Sequence, residues 1–128
     1  MKSEVSYNIS LIKKCIDKTD KNLRNISTDD TEVYEIYRMT DFQRHFTQLC
    51  FQQGIIYDSL TPVEFDKLNS ILIHFDFFTT QYLNDNIVNW GKGELNKVKA
   101  KRIFEFERKQ LIEYKDLLDE LINKIEYS

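Results

Sequence analysis

Residues 94–126 read ELNKVKAKRIFEFERKQLIEYKDLLDELINKIE. Large apolar side chains recur at intervals of seven in this stretch: Phe104, Leu111, Leu118 and Ile125. A second set lies between them at the complementary positions: Ala100, Glu107, Tyr114 and Leu121. Together the two sets form an apolar stripe along one side of a helix about 50 Å long, which other helices have to cover. The stretch therefore predicts an all-α protein with a long C-terminal helix.

Glu107 is the exception within the apolar stripe, because a carboxylate buried alone costs several kcal/mol. It has to be solvated, paired or protonated. We expect the stripe to be incompletely covered at this height, so that the Glu107 side chain reaches water.

The composition agrees with a small helical protein. The chain has 128 residues, 41% hydrophobic and 30% charged, with three glycines and one proline. So few turn-forming residues favour a small number of long helices over many short strands. We predict a single domain, residues 1–128, folded as a mainly antiparallel four-helix bundle, with a fifth helix if the second one breaks.

The first half of the chain predicts two helices. The first covers residues 3–18, and residues 20–27 either continue it or form a loop. Residues 28–30 supply N-cap candidates for a second helix that ends near Gly54. Its apolar direction changes partway along, so this helix either breaks at Thr40 or contacts different neighbours.

The third helix has the best start signal in the chain. Thr61 as N-cap, Pro62 at the first helical position and Glu64 three residues after the cap form a predicted capping box. This helix is expected to run to about Tyr82, to be apolar nearly all round and to lie centrally. Trp90, Gly91 and Gly93 then mark the turn into the C-terminal helix: this is where we expect the chain to reverse.

Charge and targeting signals limit the class of protein. The net charge is −3, which argues against a dedicated nucleic-acid binder. The N-terminal residues lack the apolar core of a signal peptide, and no apolar run is long enough to span a membrane. We therefore expect a cytoplasmic protein without membrane contact, in which Cys15 and Cys50 are free thiols.

Candidate catalytic and metal-binding residues are few. Asp41 and His45 are one helical turn apart, an arrangement that orients an imidazole for general-base chemistry, but no nucleophile is predictable beside them. The two histidines and two cysteines have no metal-ligand spacing. His74 and Asp76 cannot face the same way on one helix. The prediction is a protein that is not an enzyme and needs no metal or cofactor.

Arg38 and His45 support one enzymatic alternative. The six residues between them match the loose arginine-to-histidine spacing of HEPN ribonucleases, which are small helical bundles of similar length. The resemblance covers these two residues, and it implies RNA cleavage that depends on His45.

The C-terminal helix carries its charges against its own dipole. Basic residues crowd its N-terminal end, where the backbone amides already present positive potential. Residues 29–91 carry three basic against ten acidic side chains. Three explanations stay open: an anionic partner, pairing with acids of the same chain, or an antiparallel homodimer. The residues predicted to bind a partner are Lys97, Lys101, Arg102, Arg108, Ile112 and Lys115.

The predicted function is that of a small non-enzymatic interaction protein of the inhibitor, immunity or adaptor type. It would bind another protein, or a second copy of itself, through an exposed face of the long C-terminal helix. The main alternative is a nucleic-acid-binding domain that uses the basic stripe of residues 92–115. A HEPN-like ribonuclease is the second alternative.

Overall fold

A computed structural model describes residues 2–31, 35–44 and 61–127. In these ranges the chain is all-helical and has four α-helices: α1 (Lys2–Ser27), α2 (Pro62–His74), α3 (Phe77–Gly91) and α4 (Lys97–Tyr127). A short 3₁₀ turn covers Met39–Asp41. The predicted all-α class and the long, unbroken C-terminal helix are both confirmed.

The core lies along the seam between α1 and α4, the most extensively packed pair of described elements. The helices run antiparallel, since Lys97 at the start of α4 contacts Ser27 at the end of α1. Seven members of the apolar stripe are buried: Ala100, Phe104, Glu107, Leu111, Tyr114, Leu118 and Leu121. The eighth, Ile125, lies outside the described side chains. From α1 the core receives Val5, Ile9, Ile12, Cys15 and Ile26.

The end of α1 differs from the prediction. Residues 20–27 continue the first helix, and residues 28–30 terminate it rather than cap a second one. Asp29 takes a left-handed conformation with φ 58°, and the amides of Asp29 and Asp30 donate to the carbonyls of Ile26 and Asn25. Such a pair of bonds satisfies carbonyl groups that a helix end leaves free.

The predicted second helix is wrong over residues 35–44, which form an extended strap closed by the 3₁₀ turn at Met39–Asp41. Burial alternates along this strap: Tyr37 and Met39 are buried, whereas Ile36 and Arg38 are exposed. This period of two is typical of extended backbone. It also explains the change of apolar direction in the sequence. No capping box forms at Thr40, because the amide of Gln43 donates to Asn8 instead.

Three asparagine side chains hold the strap by its backbone. Asn8 donates to the Gln43 carbonyl at 2.8 Å and accepts from the Gln43 amide at 2.8 Å. Asn22 binds both backbone groups of Glu35, at 3.1 and 3.0 Å, and Asn84 binds both of Tyr37, at 3.0 and 2.7 Å. The strap therefore replaces helical hydrogen bonds with side-chain ones, which satisfies its backbone. We call these three residues the asparagine clamps.

The third predicted helix is two helices. The capping box of Thr61 and Glu64 is confirmed, with bonds of 3.2 and 3.1 Å. The helix stops at His74, however, and α3 begins after Asp76, whose carboxylate accepts from the Thr79 amide at 2.8 Å. Arg44 donates to the carbonyls of Leu72 and Phe75 at the end of α2. The helix breaks here because both new helix ends have partners.

The expected central position of this segment is only partly correct. Leu68, Ile71 and Phe75 are fully buried, as a central helix requires. The break at Asp76 turns other apolar residues outward, and the exposed set is Ile73, Phe77, Phe78 and Tyr82. The turn after α3 is as predicted, since α3 ends at Gly91 and Gly93 has φ +74°, a conformation that favours glycine.

Burial has a chemical consequence for Cys15, which is free and raised in pKa to about 12 by desolvation. Its thiol therefore stays protonated at neutral pH. Cys50 lies outside the described residues. Among the helices that the structure describes, none combines the length and apolarity needed to cross a bilayer.

We expect Asn22→Ala to destabilise the protein by about 1–3 kcal/mol, because it removes two hydrogen bonds from a buried side chain. Asn69→Ala is the control, since Asn69 is exposed on α2. Urea denaturation of both variants measures the difference. Equal midpoints for the two variants would contradict a clamping role for Asn22.

Asp76 gives a pH-dependent prediction. The Thr79 amide lowers the pKa of this carboxyl below its ordinary value of 3.8. The resulting stability is fully present above that value and is lost as the pH falls through the lower folded pKa. Asn also caps helices but does not titrate, so the advantage of wild type over Asp76→Asn should shrink between about pH 6 and about pH 3. Asp66→Asn, an exposed site on α2, should show no such trend in urea titrations.

Candidate functional site

The predicted partner-binding residues fall into three groups. Lys97, Arg108 and Lys115 form ion pairs with Asp29, Asp20 and Asp119, at 3.2, 2.6 and 2.8 Å. Lys101 and Ile112 are partly buried on the sides of α4. Arg102 is exposed and forms no ion pair or hydrogen bond in the described part of the chain.

The internal ion pairs bear on the second of the three sequence-based explanations. Two of the acids, Asp20 and Asp29, come from α1 and the turn that follows it, and the third is one turn along α4 itself. Each pair is partly exposed and contributes between zero and about 1 kcal/mol. Pairing within the chain therefore accounts for half of the predicted residues and leaves Arg102 as the unpaired arginine on this helix.

Arg102 lines a cleft of about 480 Å³ between α3 and α4. We call it the Arg102 cleft. The α4 side contributes Arg102, Ile103, Phe106, Glu107 and Gln110. The other wall consists of His74 at the end of α2 and Thr79, Tyr82 and Leu83 from α3. A concave, mainly apolar site of this size with a few polar groups is typical of a binding site.

A buried ionic pair forms the floor of the cleft. Glu107 is only 3% exposed, and both of its carboxylate oxygens face the Nε2 atom of His74, with Oε2 at 2.9 Å. The expectation that Glu107 reaches water is wrong: the stripe is covered at this height, and the carboxylate is paired instead. The His74 ring also lies edge-on to Tyr114 and Phe75, at 5.3 and 5.5 Å between ring centres.

The pairing has an electrostatic cost and a structural use. Two ionisable groups lose water when they are buried, and their attraction compensates only when the geometry is good. The pair joins the end of α2 to the middle of α4, and this contact places the break at Asp76 beside the cleft. The same carboxylate, after burial as the first cause, raises the pKa of the Tyr114 hydroxyl.

Aromatic side chains form the rim. Tyr82 is 56% exposed and Phe106 is 61% exposed, although both are large and largely apolar. Phe78, one turn before Tyr82, is more exposed still. Single exposed apolar residues are common, but a group of aromatics beside a concave site marks a surface suited to binding.

Sequence reasoning found Arg102 but not the cleft. His74 was considered only with Asp76, and Glu107 only as an uncompensated charge. The two are 33 residues apart on different helices, so no local spacing could join them. The available signal was chemical, since a carboxylate inside an apolar stripe needs a cationic or hydrogen-bonding partner, and histidine is one of the few candidates in this chain.

The enzymatic candidates are not brought together by the described structure. His45 lies outside the described residues, so neither the Asp41–His45 pair nor the Arg38–His45 spacing can be placed. Arg38 and Asp41 both line a separate polar groove beside α1. Within residues 2–31, 35–44 and 61–127, no three His, Cys, Asp or Glu side chains cluster as metal ligands would.

We expect removal of one partner of the floor pair to be costly. His74→Leu should destabilise the protein by about 3–5 kcal/mol because it leaves the Glu107 carboxylate buried without a partner. The double variant His74→Leu/Glu107→Leu should be more stable than His74→Leu alone, since no charge remains to be desolvated. Urea denaturation of both single variants and the double variant gives the coupling energy. Additive losses would show that the two groups are energetically independent.

Comparison with known proteins does not assign the chain to a family. No protein-family model matches it, and no match is found among curated proteins or among solved structures. The functional argument therefore starts from the Arg102 cleft and its surroundings.

Proposed function

We propose that this protein is a non-enzymatic interaction protein that binds another protein through the face of α4 that carries the Arg102 cleft. The observation that carries the proposal is the pair of exposed aromatics, Tyr82 and Phe106, on the rim of a concave apolar site. Aromatic and arginine side chains dominate the binding energy of protein interfaces, and Arg102 lies in the same cleft. An inhibitor, immunity or adaptor protein would use such a surface.

The state of the floor pair supports binding rather than catalysis. The Nε2 atom of His74 is occupied by Glu107, so this nitrogen does not face a ligand in the cleft as a general base would. The Thr79 side chain is likewise engaged, because it forms a hydrogen bond with Asp76. The polar groups at the floor therefore hold the fold together, and the rim is left to make contacts.

The distribution of charge favours a protein partner over nucleic acid. A phosphate backbone is bound by several unpaired cations in a row. Lys97, Arg108 and Lys115 are instead each within 3.2 Å of a carboxylate of this chain. A contact that depends on apolar rim residues with one free arginine at its centre is more typical of protein recognition.

Substitution of Phe106 tests the proposal. The tagged full-length chain is used to capture proteins from the lysate of its source cells, and the captured set is quantified by mass spectrometry. We expect Phe106→Ser to lose at least one protein that wild type captures, because the buried area of a central aromatic anchor is removed.

Val63→Ser is the matched control. Val63 is 65% exposed, but it lies in the first turn of α2, at the opposite end of that helix from His74. Both variants remove one exposed apolar side chain, so nonspecific adsorption should change equally. If the two variants capture the same proteins in the same amounts as wild type, the α4 face is not the binding surface.

A further inference from the structure

The Arg102 cleft is one half of a longer groove. A second depression, of about 590 Å³, lies along α4 toward its N-terminus and shares Arg102 and Ile103 with the cleft. The lining residues run from Asn96 to Gln110. At 1.5 Å per residue this distance is about 21 Å, the length of an α-helix of about 14 residues.

The apolar positions in the groove have the spacing that a helix would meet. Val98 and Phe106 are exposed and lie two turns apart on α4, with Arg102 midway between them. Ile103 and Tyr82 add apolar surface beside this row. An amphipathic helix in a groove is recognised through apolar anchors one and two turns apart.

The exposed charge of the groove is positive. Arg102 and Lys99 line it, and neither side chain forms an ion pair in the described part of the chain. The carboxylate that lines it is Glu107, which is buried and already paired with His74. A segment that brings its own carboxylate would therefore meet unpaired cations and no exposed acid.

From these observations we propose that the partner contributes an acidic amphipathic helix. One of its apolar side chains enters the Arg102 cleft between Tyr82 and Phe106, and a carboxylate about one turn away pairs with Arg102. This inference rests on the proposed function and specifies the chemistry of the partner.

Selection from a random peptide library tests this directly. The full-length protein is used to select peptides of about 16 residues, a length that spans the groove. We expect the enriched sequences to share apolar residues at helical spacing and at least one aspartate or glutamate next to them. The best peptide is then synthesised, and its affinity for each protein variant is measured by fluorescence anisotropy.

Two arginines of α4 provide matched variants. Arg102→Gln should weaken the peptide by about tenfold or more, because a charge-assisted bond is lost at a partly desolvated site. Arg108→Gln should change its affinity by less than about twofold, because Arg108 is held by Asp20 on the α1 side. Arg102→Glu should recover binding to a peptide whose acidic residue is replaced by lysine. Circular dichroism confirms that each variant is folded.

The outcomes separate the inference from the proposed function. Peptides that lose binding on Phe106→Ser but are indifferent to Arg102→Gln, or that are basic, overturn the acidic helix and leave the α4 face as the binding surface. Peptides indifferent to both substitutions, or no enrichment at all, count against both. A Phe106-dependent dimer in light scattering would identify a second copy as the occupant, and it would also overturn the acidic helix.

Discussion

The whole structure depends on the burial of the apolar stripe of α4 against α1. Phe104, Leu111 and Leu118 are almost completely removed from water, and each such side chain contributes about 1.5–3 kcal/mol. Because the seam runs along nearly all of α1, it also fixes where the polar residues of α1 lie. Asn8 and Asn22 are buried beside the seam, and from there they reach the strap.

A single charged residue in this seam determines where the candidate site forms. Glu107 is in the middle of the apolar stripe, so it has to be compensated by a neighbour, and His74 supplies that compensation. Since His74 is the last residue of α2, the pairing draws the end of α2 onto α4 and leaves α3 to diverge. The Arg102 cleft lies in the resulting gap, and its rim consists of side chains that the divergence has turned outward.

Periodicity and capping chemistry predicted the parts of the fold that local sequence controls. The apolar stripe, the capping box at Thr61 and the turn at Gly93 all depend on residues within a few turns of one another. The strap and the break at Asp76 depend on distant partners: the backbone of Glu35 needs Asn22, and the end of α2 needs Arg44. For the same reason Arg102 was recognised as a candidate, whereas its cleft required α2, α3 and α4 to be placed together.

The asparagine clamps also determine how freely the strap can change in evolution. An amide side chain that bonds the N–H and C=O groups of one residue recognises main chain and ignores which side chain that residue carries. The outward positions, such as Ile36, Arg38 and Gln43, can therefore diversify without detaching the segment. The clamps cannot drift in the same way, because even aspartate, which matches asparagine in shape, would replace a donor with a second acceptor opposite a carbonyl oxygen.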